Sequence, residues 1–373
     1  MRESTIGLLT FPIERSGIHP TSNLIGILSS LTREPIPLVT GNAGRAFEND
    51  ARVRFSGVDH AGGGSVASRV LQNIATQVRM ARRIREVDGT GTWLFFFGGE
   101  VLVLPMLAAK LSGKKVILAL PGHTPLMMAP ARDRLLLPAG ILTGITCRLC
   151  DRIVLYSPAL VDHWGLGQYR EKITIAREHL LDFEAFRVKV PLDERPMAVG
   201  YIGRLADEKG VWNFVRALPR LAADTDLHFL IGGDGPLLPA IREFIRESGL
   251  SERVTLAGWI RHDDLPCHLN RLRLLVMPSC TEGLPNIMLE AMACGTPLLA
   301  APVGAVPDFV HDGVTGFILA PNTPEGIAAS VIDILGRSEL TSIAGAARKC
   351  VEQEITYERA VERFAAVIEG LGD

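Results

Sequence analysis

The stretch from Pro278 to Pro297, PSCTEGLPNIMLEAMACGTP, decides how the fold is read. It carries two carboxylates, Glu282 and Glu290, and the first is followed by the tight-turn sequence Gly283-Leu284-Pro285-Asn286. The apolar run Leu272 to Met277 precedes it and Thr296-Pro297-Leu298-Leu299 follows, so the order is strand, glycine-proline loop, short helix, strand. In open α/β sheets ligands collect at the carboxyl ends of strands, where loops and helix N-termini present free N–H groups. Glu282 is expected at that rim. With Asn286 capping a helix that runs to Ala293, Glu290 stands about one turn further in, still within reach of a ligand over the N-terminus. An isolated helical carboxylate is as often merely solvated, so the stretch alone leaves the question open.

Working outward, the same edge gathers more loops. Gly203-Arg204-Leu205-Ala206-Asp207-Glu208-Lys209-Gly210 follows the expected strand Met197–Ile202 and leads into a helix over Val211–Leu221. Such a loop offers backbone N–H groups to an anion, while Arg204 adds a planar fork and Lys209 a point charge, a pair suited to adjacent phosphates. Gly233-Asp234-Gly235-Pro236 follows a strand over Leu227–Ile231, and Gly258-Trp259-Ile260 follows one over Arg253–Leu256. Each glycine loop alone is a weak signal and Trp259 alone is more often a rim residue than a platform for a base. Four such loops in one half-chain, all at strand carboxyl ends, together fit a base, a ribose, a diphosphate and a sugar.

The first half has the same rhythm. Short apolar runs at Ile6–Thr10, Ile36–Thr40, Trp93–Phe97, Val116–Leu120, Ile153–Tyr156 and Ile173–Ala176 alternate with helical patterns, which implies parallel strands with crossover helices. Ser22 is expected to cap a helix through Leu31. Val66 to Val87 reads as a long helix with Arg79, Arg82 and Arg83 on one face, a pattern that is usually a solvated stripe. The mixed basic and apolar segment Arg132 to Cys150 fits either an interfacial helix or, by preference, a crossover packed on the sheet. Near Pro191 to Pro196, PLDERP, turn residues and charges interrupt the alternation as a linker does. The expected organisation is α/β, with two Rossmann-like doubly wound parallel-sheet domains facing across a cleft: residues 1–192, residues 193–355, and a C-terminal segment 356–373.

Composition agrees with a globular chain of this kind. Its 373 residues suffice for two cores, and 47% hydrophobic with 21% charged residues excludes disorder. The longest apolar candidate, Leu135 to Cys147, is broken by Pro138 and Gly140 and falls short of the roughly eighteen residues a membrane span needs. The N-terminal apolar run is too short for a secretory signal, which makes the cytoplasm the expected location. Six scattered cysteines form no disulfide framework, and the lone Cys147-x-x-Cys150 lacks a second pair for zinc. Net charge is −2, yet residues 1–192 hold 23 Lys and Arg against 16 Asp and Glu, and the remainder 16 against 25. A basic first half can attract an anionic substrate or the inner face of a membrane, although ordinary scatter gives the same split.

These residues resemble a family. G-R-L-x-x-x-K-G at Gly203 to Gly210, G-x-G-P at Gly233 to Pro236, E-G-L-P-N with a second glutamate at Glu290, and D-G-x-T-G-F at Asp312 to Phe317 are similar to the family 4 retaining glycosyltransferases. In the first half the resemblance rests on Gly17, on His123 after its strand, and on D-R-I-V-x-x-S at Asp151 to Ser157. It implies the GT-B arrangement, with a nucleotide-sugar donor held mainly by the second domain, an acceptor held by the first, and a last helix, Glu358 to Leu371, returning to the first domain. It also implies chemistry that needs neither metal nor other cofactor. By the same resemblance Arg204 and Lys209 neutralise the donor diphosphate. Gly203, Gly233, Gly258, Trp259 and Ile260 line the nucleotide. Glu290 takes the ribose hydroxyls, and Glu282 with the backbone of Gly283, Leu284, Pro285 and Asn286 holds the sugar. His123 stands beside that sugar, and Gly17 lets backbone approach the phosphates.

The expected function is therefore transfer of a hexosyl or N-acetylhexosaminyl group, with retention, from a nucleotide-diphosphate sugar to a glycan or lipid-linked acceptor in cell-envelope synthesis. Peripheral membrane contact through the first domain is expected, and nucleic acid is not. A nucleotide-sugar epimerase and a non-catalytic nucleotide-sugar or glycan-binding module remain the alternatives. A dinucleotide oxidoreductase is excluded, because Phe11 to Pro20 contains no G-x-G-x-x-G.

Overall fold

The computed structural model describes residues 5–121 and 136–372. It divides into two units, residues 1–180 with 357–373, and residues 181–356.

The first unit is built on β1 (Thr5–Thr10), β2 (Ile36–Thr40), β3 (Val53–Gly57), β4 (Thr90–Phe96), β5 (Lys115–Leu120), β6 (Arg152–Leu155) and β7 (Ile173–Ile175), all paired in parallel in the order β3-β2-β1-β4-β5-β6-β7. The central strands are buried on both faces, which is why they read as unbroken apolar runs rather than alternating ones. Edge strand β3 escapes the sequence reading because Arg54 and Ser56 interrupt its apolar pattern.

Two local expectations are corrected. Ser22 lies inside the helix Ile18–Ser29 rather than at its start, because a 3₁₀ turn over Arg15–Gly17 leads directly into it. Pro20 sits in the first turn, where the missing N–H costs no intrahelical bond. The segment Glu100–Leu111, which between Gly98-Gly99 and Ser112-Gly113 reads as one crossover helix, becomes α-helical only at Val103, after a 3₁₀ turn that buries Glu100. Burial there raises the Glu100 carboxyl pKa. Helix Leu136–Leu149 is present, while Arg132 and Arg134 lie outside the described residues.

The second unit holds β8 (Ala198–Ile202), β9 (His228–Gly232), β10 (Val254–Gly258), β11 (Leu274–Met277), β12 (Leu298–Ala300) and β13 (Phe317–Ile318), parallel in the order β10-β9-β8-β11-β12-β13. Strand order therefore reverses between β8 and β11, the topological switch point where a doubly wound sheet opens a crevice for ligands. Its core joins Val199, Tyr201, Leu274 and Val276 of the central strands to Phe214 and Leu218 of the helix Val211–Asp224.

The expected boundary at residue 192 is also corrected. Residues 181–192 belong with the second unit: Phe186 is 1% exposed, Leu192 joins the second core, and the Lys189 and Val190 amides donate to Asn270 Oδ1 at 2.6 and 3.2 Å. Within PLDERP, Arg195 is buried. It donates to the carbonyls of Val190, Leu272 and Cys294 and to Thr296 Oγ1, and burial pulls its pKa down to about 10. The C-terminal helix Tyr357–Glu369 is part of the first unit, where Ala360, Phe364 and Val367 enter its core.

Candidate functional site

Glycines whose Cβ would collide with neighbouring backbone let the loops of the second sheet come together. The loop after β8 closes at Gly210, whose φ of +61° is left-handed and whose Cβ would lie 1.8 Å from the Pro278 carbonyl oxygen. Gly233, with φ +127°, would meet the Gly203 carbonyl oxygen at 1.9 Å. Backbone bonds then tie the loops strand to strand: Gly203 N to Gly232 O at 3.0 Å, Gly233 N to Gly258 O at 2.7 Å, and Leu205 N to Asp234 O at 2.9 Å. Tyr201 braces the first loop from below, its hydroxyl donating to the Arg204 carbonyl at 2.7 Å. Burial drives the Tyr201 pKa upward, so the phenol stays a donor.

At the switch point the loops after β8 and β11 meet through side chains. Lys209 Nζ lies 2.7 and 2.8 Å from the two oxygens of Glu282, and Ser279 Oγ donates to Glu282 Oε1 at 2.7 Å. Glu282 is 8% exposed while Lys209 keeps 28% of its side chain exposed, so the carboxylate is nearly desolvated and its partner only partly so. Cys280 N donates to the Glu208 carbonyl at 3.0 Å, adding a backbone tie between the same two loops. Arg204 reaches Glu208 at 3.3 Å with its side chain 60% exposed, an ion pair that holds little energy and leaves the guanidinium accessible.

The loop after β11 leads into the helix Asn286–Ala293. Here Pro285, not Asn286, is the N-cap, and no side chain caps the helix. The expected capping role of Asn286 is thereby corrected, since it is the first helical residue. Glu290 is buried on this helix and accepts from His262 Nε2 at 2.9 Å. The hydrogen bond from His262 to Glu290 raises the histidine pKa. Gly283 O accepts the Ala305 amide at 2.7 Å. Gly304, at φ +59°, permits that approach, because its Cβ would lie 2.2 Å from the Glu282 carbonyl oxygen.

Lys209, Glu282, Ser279 and the Gly283–Asn286 turn thus form one cluster, and Glu290, on the helix that follows, forms a second with His262 from the loop after β10. Leu284 is buried, Ile260 packs where a Cβ on Gly232 would sit, and Trp259 is 78% exposed, with its indole open to solvent. In the first unit Gly17 is buried against Ile13, and His123 lies outside the described residues. Sequence reasoning passed over Ser279, Gly304 and His262. His262 had a usable signal, since it follows the Gly258 loop on the edge where the other candidates lie. Among the described residues no cluster of His, Cys, Asp and Glu has the make-up to hold a metal ion, and no helix is long and apolar enough to cross a membrane.

Residues 196–337 match the family model of the glycosyl transferases group 1. Alpha-D-kanosaminyltransferase of Streptomyces kanamyceticus is 37% identical over 175 residues, which is 46% of this chain and 44% of that protein. The chain spans about half the length of the curated relatives that head the comparison. A longer match is to the GDP-mannose-dependent alpha-(1-6)-phosphatidylinositol monomannoside mannosyltransferase of Mycobacterium tuberculosis, 27% identical over 323 residues and 81% of each chain. Among solved structures, Anabaena Alr3699/HepE in complex with UDP superposes with a TM-score of 0.75 at 17% identity, covering 98% of this chain and 99% of that one. That likeness bears out the two-domain GT-B fold expected from the sequence.

Proposed function

We propose, from the match of residues 196–337 to glycosyl transferases group 1, that this chain is a family 4 retaining glycosyltransferase. It moves a sugar from a nucleoside-diphosphate sugar to a glycan or lipid-linked acceptor and needs no metal ion. The observation that carries the reading is the Lys209–Glu282 pair, set where strand order reverses between β8 and β11. A cation and a carboxylate there meet the two halves of such a donor, diphosphate and sugar hydroxyls.

On this reading the donor divides the pair. Lys209 and Arg204 turn to the diphosphate and stabilise the charge that grows as the glycosidic C–O bond breaks. Glu282 and the Gly283–Asn286 backbone hold the sugar, and Glu290 takes the ribose. The acceptor hydroxyl attacks the oxocarbenium-like carbon on the face the diphosphate leaves, and its proton passes to the departing phosphate oxygen. Configuration is retained without a protein nucleophile.

An acceptor at a cytoplasmic membrane face is supported by the helix Val66–Glu86. It exposes Val66, Val70, Leu71, Ile74 and Val78, and its Arg79, Arg82 and Arg83 line a cavity of about 370 Å³ with Arg45, Asp59 and Glu86, where Asp59 pairs with Arg45 and Glu86 with Arg83. Apolar and basic surface together suit anionic lipid. The name of the mycobacterial relative, a phosphatidylinositol monomannoside mannosyltransferase, points the same way.

The test begins with thermal shift against UDP-, GDP- and ADP-sugars, followed by turnover with sugar and lipid acceptors and NMR of the product anomer. Lys209→Ala and Glu290→Ala are expected to abolish transfer, and unchanged turnover in both overturns the reading. An inverted product refutes retention alone. Failure to co-sediment with anionic vesicles refutes the membrane contact alone.

A further inference from the structure

We infer that His262 is a positioning residue that turns Glu290 into a reader of the ribose hydroxyls, so that the chain selects ribonucleotides over deoxyribonucleotides. The inference rests on the donor-site reading above and adds to it a residue which neither the motifs nor the resemblance supplies.

Glu290 is 6% exposed, and its Oε1 accepts His262 Nε2 at 2.9 Å. No hydrogen bond reaches its Oε2 among the described residues. A carboxylate has about four lone-pair sites, and one largely removed from water pays for each that stays empty. The spare oxygen therefore favours a ligand that brings O–H donors. Ribose brings two on adjacent carbons.

A carboxylate held at one point could still swing about its last torsion, and a swinging acceptor discriminates poorly. His262 removes that freedom only if it is itself fixed. Its ring lies against Phe186, centroids 5.1 Å apart and planes tilted by 54°. Phe186 is 1% exposed and belongs to the segment 181–192, whose Lys189 and Val190 amides are bound to Asn270. The left-handed turn at Gly258, φ +64°, reverses the chain after β10 ahead of His262. His262 thus stands between a fixed aromatic ring and the carboxylate it orients. Arg261 pairs with Asp263 and Asp264 instead, so the neighbouring cation does not compete for Glu290.

The arrangement commits Oε1 to the protein and leaves Oε2 for the ligand. A nucleotide lacking the 2′- or 3′-hydroxyl offers that oxygen one donor fewer, and losing a hydrogen bond to a charged group costs about tenfold or more in binding.

The experiment titrates UDP, GDP and ADP, with their 2′-deoxy and 3′-deoxy counterparts, into the 373-residue chain by calorimetry. The parent is expected to prefer the ribonucleotide it binds over at least one deoxy form by about tenfold or more. His262→Phe keeps the ring on Phe186 but loses the donor. It should weaken the ribonucleotide to within about twofold of the deoxy form, while the affinity for the deoxy form stays unchanged. His262→Gln, which restores an N–H donor, should recover most of the preference. A His262→Phe variant that keeps the parental ratio overturns the inference, as does a parent that binds deoxy and ribo forms equally. A parent that binds none of the nucleotides overturns the donor-site reading, and the inference with it. Because His262 has a 64% exposed side chain, loss of folding is not expected, and His262→Ala supplies a second measure of the ratio.

Discussion

Lys209 and Glu282 come from loops that follow β8 and β11, neighbouring strands of the second sheet, and they close on one another with both carboxylate oxygens engaged at 2.7 and 2.8 Å. Removing Lys209 strands the Glu282 carboxylate in a nearly dry position, whereas Lys209 keeps 28% of its side chain exposed, so loss of the lysine does two kinds of harm. Lys209→Met is expected to destabilise the second unit by about 3 kcal/mol, because an unpaired buried carboxylate remains. Adding Glu282→Gln removes that charge and should recover much of the loss. Turnover should not follow stability: both single variants and the double variant are expected to fall by about 10²–10³-fold. Urea unfolding beside initial rates checks this, and a double variant that regains activity would make the pair structural.

Two glycines of similar backbone conformation separate conformational cost from collision. Gly249 has φ +69° with nothing near its would-be Cβ, so Gly249→Ala is expected to cost about 1 kcal/mol. Gly210 has φ +61°, but its Cβ would lie 1.8 Å from the Pro278 carbonyl oxygen. Gly210→Ala must push apart the loops after β8 and β11, at an expected cost above about 3 kcal/mol. Urea midpoints of the two variants provide the comparison, and equal losses would contradict the close approach.

The same contrast explains what was legible in the sequence. Strands such as Ile36–Thr40 announce themselves because a strand covered on both faces must be apolar throughout. Motif loops were legible because a left-handed turn after an apolar run leaves glycine in the sequence, as at Gly210 and Gly233. Contacts made far along the chain leave no such trace. Arg195 reads as part of a charged linker, yet it is buried by the carbonyls of Leu272 and Cys294. His262 reads as one polar residue in a polar loop, and its meaning depends on Glu290, which lies on another element. The split at residue 180 was hidden for the same reason, since Asn270 draws residues 189 and 190 into the second unit.

Glu178 makes the first unit sensitive to pH. Its carboxyl is fully buried beside Tyr156, which donates to Oε1, with His179 Nδ1 at 4.0 Å, while Oε2 has no hydrogen-bond partner among the described residues. Burial pushes its pKa up to about 7 from an ordinary value of 4.5. An acid with a raised folded pKa stays neutral in the fold after it has ionised in the unfolded chain. It therefore costs nothing below about pH 4.5, costs progressively more up to about pH 7, and keeps the full cost above that. The shift corresponds to about 3 kcal/mol. Glu178→Gln should match the parent near pH 4 and exceed it by up to that amount near pH 8. Urea unfolding followed across that range checks it, and a difference independent of pH would show that Glu178 is already charged in the fold.

Thiol chemistry gives a reading of both the core and the site. Cys147, Cys150 and Cys294 are buried, and burial pushes their thiols up to about 11, 12 and 12. They should resist an aromatic disulfide reagent at pH 8 until the chain unfolds, since attack needs the thiolate and access to it. Cys267 and Cys280 are exposed and should react first, with half-buried Cys350 slower. Cys280 is two residues from Glu282 and is tied by its amide to the Glu208 carbonyl. A nucleotide sugar seated across Lys209 and Glu282 covers that loop, so it should slow Cys280 several-fold and leave the reaction of Cys350 unchanged. Cys280→Ser assigns the phase. If the ligand that raises the melting temperature leaves the Cys280 rate unchanged, the nucleotide sugar binds elsewhere on the chain.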